Sequence, residues 1–361
     1  MLRKIFCFVL LLAITACASP APDVTPTPGE TPTPPASHTP TALLAETVTP
    51  ETGITATPGD ENPQLVLPTP GAEPVSAWRP PLYPVPWSPT SVDHFYLNRP
   101  IAADEFNAPV EDYRYGGMFT GTKIIHTGID IPASYGTPVL AAGDGTVVWA
   151  GWGLYSGVKE NKKDPYGQAI VVRHDFGHDG QRLYTVYAHL SQINVTRGQW
   201  VKSGEPIGEL GDTGLTSGPH LHFELRFGEN DYFSTYNPEL WLVPPQGWGV
   251  LVGRVTDGSG YPLHDQVVIV DSLDADRRWR VHTYGPNTVL PDPYYNENMV
   301  LSDLPAGKYR IMIQYLGSYL DHEIEIKPGL VTYFSFKGYK GYYEIPPPLP
   351  GLEGLTPVVT P

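Results

Sequence analysis

The chain has 361 residues, with 23 Lys and Arg against 38 Asp and Glu, for a formal charge of −15. That balance excludes binding to nucleic acid through charge, because a polyanion would be repelled. The two cysteines both fall in the first 17 residues, so no disulfide framework holds the fold, and apolar cores or a metal must do so. Of the 41 prolines, 19 lie between Cys17 and Thr90 and 6 between Pro346 and Pro361, which marks both ends as linker or tail.

Met1 to Lys4 is basic and Ile5 to Ile14 is apolar. That run is too short for a bilayer, which takes about 20 residues, and it reads as an export signal over 1–16. Ile14-Thr15-Ala16-Cys17 resembles the lipobox of bacterial lipoproteins. The resemblance implies lipidation of Cys17 and a protein exported, anchored to the membrane through lipid and facing the cell wall; an ordinary secretory peptide is the alternative. Residues 17–77 repeat Thr-Pro and offer little to bury, which predicts a disordered tether, of which the stretch from Ala18 to about Pro74 reaches at most roughly 170 Å in polyproline geometry. An approach segment, 78–91, adds Trp78, Tyr83 and Trp87 to the prolines.

Residues 92–245 read as an all-β, mostly antiparallel domain. Val139 to Trp149, Gln168 to His174, Arg182 to Leu190 and Pro219 to Phe227 alternate or run apolar between glycine-rich turns. In His220-Leu221-His222-Phe223-Glu224-Leu225-Arg226-Phe227 the apolar residues share one strand face and His220, His222, Glu224 and Arg226 the other. Two imidazoles placed in this way stand about 6.5 to 7 Å apart at Cα, so one can bind a metal while its neighbour serves a bound substrate.

Upstream, His126-Thr127-Gly128-Ile129-Asp130 adds an imidazole and a carboxylate. Fully extended, that segment would hold them roughly 13 Å apart, too far for one ion, so the chain must bend, and Gly128 permits a backbone that a Cβ would resist. His189, at the end of the strand Leu183 to Val186, stands without a second donor beside it and is a catalytic candidate. Three protein ligands leave zinc an open position, whereas four close it. Glu224 fits either a partner of an imidazole or an exposed strand carboxylate, and it is left outside the site. His174 and His178 each precede an aspartate but read as structural, and His38, His94, His264, His282 and His322 have no partner at a metal-like spacing.

These motifs, with Gly136-Thr137-Pro138-Val139, Gly143-Asp144-Gly145-Thr146 and Gly211-Asp212-Thr213-Gly214, resemble the zinc endopeptidases of the lysostaphin and LytM type, peptidase family M23, over about 150 residues. The resemblance implies Zn²⁺ held by His126, Asp130 and His222, with His189 and His220 as catalytic groups, and hydrolysis of peptide bonds in cell-wall peptidoglycan. The chain lacks His-Glu-x-x-His, so histidine must carry the proton transfers, and which imidazole is base and which acid stays open. Two rival readings stand beside it: a non-catalytic relative that activates wall amidases, and a metallopeptidase acting on exported proteins or peptides. The polar loop Tyr155 to Tyr166 departs from a plain core of that family.

Residues 249–338 start again with Val250 to Val255, Val267 to Val270 and the alternation around Tyr309 to Tyr315, a small β-sandwich pattern. Gly253-Arg254-Val255-Thr256-Asp257 and Leu304-Pro305-Ala306-Gly307-Lys308-Tyr309 resemble the carboxypeptidase regulatory-like, transthyretin-type sandwich. It reads as a structural spacer, or as a wall or glycan contact through Tyr294, Tyr295 and Tyr319. Residues 339–361 form a proline-rich tail.

Overall fold

The computed structural model describes residues 79–101, 108–118 and 124–349. The export signal, Cys17, the tether, Trp78 and the end of the tail lie outside the described residues. Among those described, no helix is long and apolar enough to cross a membrane. The helical elements there are three 3₁₀ turns, Glu111–Tyr113, Pro238–Leu240 and Gly338–Lys340, and the rest of the regular structure is β.

Nine strands form the first sheet: β1 (Ile129–Pro132), β2 (Pro138–Leu140), β3 (Gly145–Trp152), β4 (Gln168–His178), β5 (Gln181–Ile193), β6 (Trp200–Val201), β7 (Pro206–Leu210), β8 (His220–Phe227) and β9 (Thr235–Tyr236). Its main order is β1-β8-β5-β4-β3-β6, all antiparallel, with β2 paired to β7, β7 also to β5, and β9 to β8. β4 and β5 join through Asp179 and Gly180, both at positive φ, a two-residue turn whose twist matches the flanking strands. The central strands are apolar on both faces because each face meets a core. Ile170, Val172, Leu183 and Tyr187 enter the main core, while Ala169, Val171, Val186 and Ala188 enter a smaller one closed by Tyr166.

The remaining strands are β10 (Trp248–Thr256), β11 (Val267–Ser272), β12 (Arg278–His282), β13 (Met299–Pro305), β14 (Gly307–Tyr315), β15 (Ser318–Ile326), β16 (Val331–Lys337) and β17 (Tyr342–Tyr343). They form two four-stranded sheets, β13-β10-β16-β17 and β12-β11-β14-β15, across a shared core of Leu251, Val255, Phe334 and Phe336 against Val268, Val270, Ile311 and Ile313. β10 and β16 pair in parallel, a departure from the antiparallel pattern, because the chain between them crosses to the second sheet and back.

β10 faces two ways: Leu251 and Val255 point into the sandwich core, while Val250 and Val252 join the main core with Tyr83, Phe95 and Leu97. Residues 79–97 are therefore packed as well, with Leu97 N–H donating to Trp241 O at 3.0 Å and Tyr83 N–H to Pro244 O at 3.2 Å. The same packing corrects the expectation of three exposed tyrosines. Tyr295 is only 4% exposed and donates its hydroxyl to Asp93 at 3.0 Å, and the half-buried Tyr294 donates to Pro347 O at 2.6 Å. The segment that carries them folds back onto residues 92–97 instead of reaching solvent; Tyr319 alone of the three is open, at 67%.

Candidate metal centre and cleft

The site is built on the polar face of β8. Its register sets His222 opposite Asp130 of β1 on one side and Ala188 of β5 on the other. The chain bends at Gly128, as the ligand spacing demands. Glycine is needed there for close approach and not for a left-handed φ: a Cβ would stand 2.4 Å from Phe223 O. The bend returns His126 to the same point.

His126 Nε2, Asp130 Oδ1 and His222 Nδ1 form a nearly equilateral triangle with sides of 3.0, 2.9 and 2.9 Å. These three donor atoms would hold a Zn²⁺ ion, which would supply a Lewis acid there. The partners set the tautomers. His126 Nδ1–H donates to Arg114 O at 3.2 Å and His222 Nε2–H to Glu224 Oε1 at 3.0 Å, so both remaining nitrogens turn lone pairs toward the triangle. This is the one cluster of metal-type donors found among the described residues.

The charges agree with a cation there. Burial would raise the Asp130 pKa, but the neighbouring His126 and His222 hold it well below the usual carboxylate range. Burial would lower His222, yet its hydrogen bonds to Asp130 and Glu224 push it up to about 9. Two carboxylates on one buried imidazole require a positive charge, and in the protein alone a proton on His222 answers that requirement.

His189 and His220 stand beside this triangle, their rings 4.7 Å apart. His189 lies in a bulge of β5 and takes a left-handed φ of 63°, a strained state held by its N–H donating to Tyr166 O at 2.9 Å. Its Nδ1–H donates to Thr213 O at 2.8 Å, and burial, helped by His222 and His220, lowers its pKa to about 3. The ring is neutral, with Nε2 as its base. His220 is pinned the same way, Nδ1–H to Gly218 O at 2.8 Å, and its Nε2 is 3.5 Å from Asp130 Oδ2, outside the triangle. All five residues line one cleft of about 570 Å³, walled by Tyr113, Tyr155, Pro165, Leu215 and Tyr232.

Glu224 is the residue that sequence reasoning left out. It is fully buried, accepting from Thr127 Oγ1 (2.6 Å), Tyr166 hydroxyl (2.6 Å), Arg226 Nε (2.7 Å) and His222 Nε2 (3.0 Å). Burial opposes its charge, but Arg226 and His222 hold its pKa far below the ordinary carboxylate range. The exposed-carboxylate alternative is thus overturned, because Tyr166 covers the face. The loop that brings Tyr166 is ordered around the buried Asp164, which accepts from Ser156 N–H at 2.8 Å and Tyr155 N–H at 3.2 Å. His174 is a buried core residue between Asp144 O and Thr185 Oγ1, its pKa lowered by burial to about 4, and His94 pairs with Asp292 at 3.3 Å; neither approaches the cleft.

A buried triad of two imidazoles and a carboxylate, beside a cleft that holds two more imidazoles, could hold one metal ion, and its donors are of the kind found in hydrolytic zinc sites. Residues 124–234 match the profile described as Peptidase family M23. Over 102 residues the chain is 42% identical to the DD-carboxypeptidase/endopeptidase Mpg of Neisseria meningitidis serogroup B, covering 28% of this chain and 20% of that protein. The Peptidoglycan DD-endopeptidase ShyA of Vibrio cholerae is 41% identical over 101 residues, 28% of this chain and 20% of ShyA. Lysostaphin of Staphylococcus staphylolyticus is 36% identical over 214 residues, 59% of this chain and 38% of lysostaphin. The chain thus spans a fifth of the length of the first two and well under half of the third.

Proposed function

We propose that the chain is a zinc-dependent endopeptidase that hydrolyses peptide bonds in cell-wall peptidoglycan. The observation that carries this reading is the 2.9 to 3.0 Å triangle of His126, Asp130 and His222 with two further imidazoles on the same cleft. Zinc in that triangle would supply a Lewis acid with an open coordination position. The protein's own groups handle the protons. Neutral His189, with Nδ1–H fixed on Thr213 O, and His220, with Nδ1–H fixed on Gly218 O, each keep Nε2 free; the imidazole that takes a proton from the attacking water at Nε2 returns that proton from the same atom to the leaving amine, while the other hydrogen-bonds the reacting group. The aromatic walls offer apolar surface along which an extended peptide would lie. The names of the Neisseria and Vibrio relatives support a wall peptide as substrate. The rival non-catalytic regulator is disfavoured by the complete donor set, while a metallopeptidase of exported proteins keeps the same chemistry with another substrate.

Digestion of purified sacculi, with the released ends identified by mass spectrometry, is expected to show new peptide amines and carboxyls. A protein that binds zinc and cuts casein-like substrates but no sacculus bond would transfer the reading to exported proteins.

We further propose that Cys17 is the lipidated first residue of the mature protein, from its place after Ile14-Thr15-Ala16. Cys17→Ser should shift the protein from the membrane to the soluble fraction on cell fractionation. An unmodified N-terminus elsewhere, read by intact mass, would remove the anchor.

A further inference from the structure

His126 depends for its position on a short stretch that precedes it. Its N–H donates to Gly117 O at 2.9 Å, its carbonyl accepts from Gly116 N–H at 2.8 Å, and its Nδ1–H donates to Arg114 O. Where residues 114–117 go, the first apex of the triangle goes too.

That stretch is held from two sides: the Tyr115 hydroxyl donates to Thr235 O of β9 at 2.5 Å, and the C-terminal part of the chain makes the remaining contacts. The Tyr284 ring stands edge-on to Tyr115, centroids 5.2 Å apart, and Gly285 N–H donates to Gly116 O at 2.8 Å. A Cβ on Gly285 would lie 2.2 Å from Ile125 Cδ1, so the connection between β12 and β13 presses directly on the residue before His126. The Tyr284 hydroxyl is itself fixed, donating to Glu297 Oε1 and accepting from Asn237 Nδ2, both at 2.9 Å. The Tyr115 hydroxyl accepts from Leu290 N–H at 3.0 Å. A second line runs through β13: Ser302 donates to Glu239 Oε2 from its N–H at 2.9 Å and from its hydroxyl at 2.6 Å, and the same oxygen accepts from Arg114 Nη1. Tyr115, Tyr284, Glu297, Glu239 and Ser302 are all buried, so these contacts act without competing water.

We propose that the β12–β13 connection and Ser302 are positioning elements for His126, which makes the C-terminal sheets a structural half of the metal centre and not a spacer. The proposal rests on reading the triangle as a zinc site, and its test separates the two. Zinc affinity of the full-length chain is measured by competition with a chromophoric chelator, apart from any cleavage assay. Tyr284→Leu and Ser302→Ala should each weaken zinc several-fold, less than the roughly 10- to 100-fold for a group bonded directly to a metal-bound histidine, because both act on His126 through residues 114–117. Tyr284→Phe, which keeps the ring against Tyr115, should restore most of the affinity. Phe336→Leu, in the sandwich core, serves as the control: it should lower the thermal midpoint and leave zinc affinity at the wild-type value. Should Tyr284→Leu not fold, Ser302→Ala carries the comparison. Wild-type affinity in Tyr284→Leu and Ser302→Ala, or an equal loss in Phe336→Leu, would overturn the proposal. A wild-type chain that binds no zinc would instead overturn the reading of the triangle, and one that binds zinc but cuts nothing would overturn only the proposed function.

Discussion

His222→Ala should lose both zinc and cleavage, whereas its strand neighbour His220→Ala should keep near-stoichiometric zinc and lose roughly 10²- to 10⁴-fold in rate. Sequence proximity makes the two look interchangeable, but geometry separates them. His222 Nδ1 is an apex of the triangle, 2.9 Å from both other donors. His220 Nε2 instead lies 3.5 Å from the Asp130 oxygen that the triangle does not use. Removing the first deletes one of three donors; removing the second deletes a proton carrier beside an intact set. His189→Ala should follow His220→Ala, since its ring also stands outside the triangle. Zinc content by elemental analysis, taken with a sacculus cleavage rate, checks each variant. Zinc lost from His220→Ala and retained by His222→Ala would mean the two roles are reversed.

The second large effect is expected at Glu224. Glu224→Gln keeps the shape, but with its carboxamide oxygen where Thr127, Tyr166 and His222 donate, its N–H₂ faces Arg226, donor against donor, and the buried guanidinium loses its countercharge. Breaking a buried pair in this way costs about 3 to 5 kcal/mol. Exchanging the charged acceptor of His222 Nε2–H for a neutral carboxamide oxygen should in addition weaken zinc, toward the roughly 10- to 100-fold seen when such a partner is altered. The two effects can be told apart. Adding Arg226→Met removes the unpaired charge and should recover most of the stability in urea unfolding, but not the zinc affinity, because only Glu224 touches His222. Wild-type zinc affinity in Glu224→Gln would place the carboxylate in the fold and outside the site.

Much of this site is legible because its spacing is local. Alternation along His220 to Phe227 requires a strand and puts both imidazoles on one face, and the gap between His126 and Asp130 requires a bend, which the chain makes at Gly128. The pairing of Asp130 with His222 is not local: it is a register between β1 and β8, strands separated by most of the sheet's sequence. Glu224 was misjudged for the same reason. Its exposure depends on Tyr166, 58 residues earlier, in a loop that reads as polar and long but is drawn together by one buried carboxylate, Asp164. Tyr295 departs in the same direction, because a polar-looking connection found its partner in Asp93, 202 residues away. The strand pattern carried the all-β class, whereas the parallel pairing of β10 with β16 follows from a crossover that no short window contains.

β10, with one face in each core, has a consequence for how the cleft works. Enzymes that close over substrate need a seam along which two bodies can swing, with few contacts crossing it. Here the junction is stitched: Gln246 N–H donates to Pro81 O at 2.8 Å, Arg99 pairs with Asp303 at 2.9 Å, and Val250 and Val252 are continuous with the first sheet's packing. Opening along that line would strip apolar surface from the main core. Motion at the cleft is left to its rims, such as the exposed Leu215 and Tyr155, whose displacement uncovers little. The junction between the two β units therefore offers no hinge, and any adjustment of the cleft is confined to those rims.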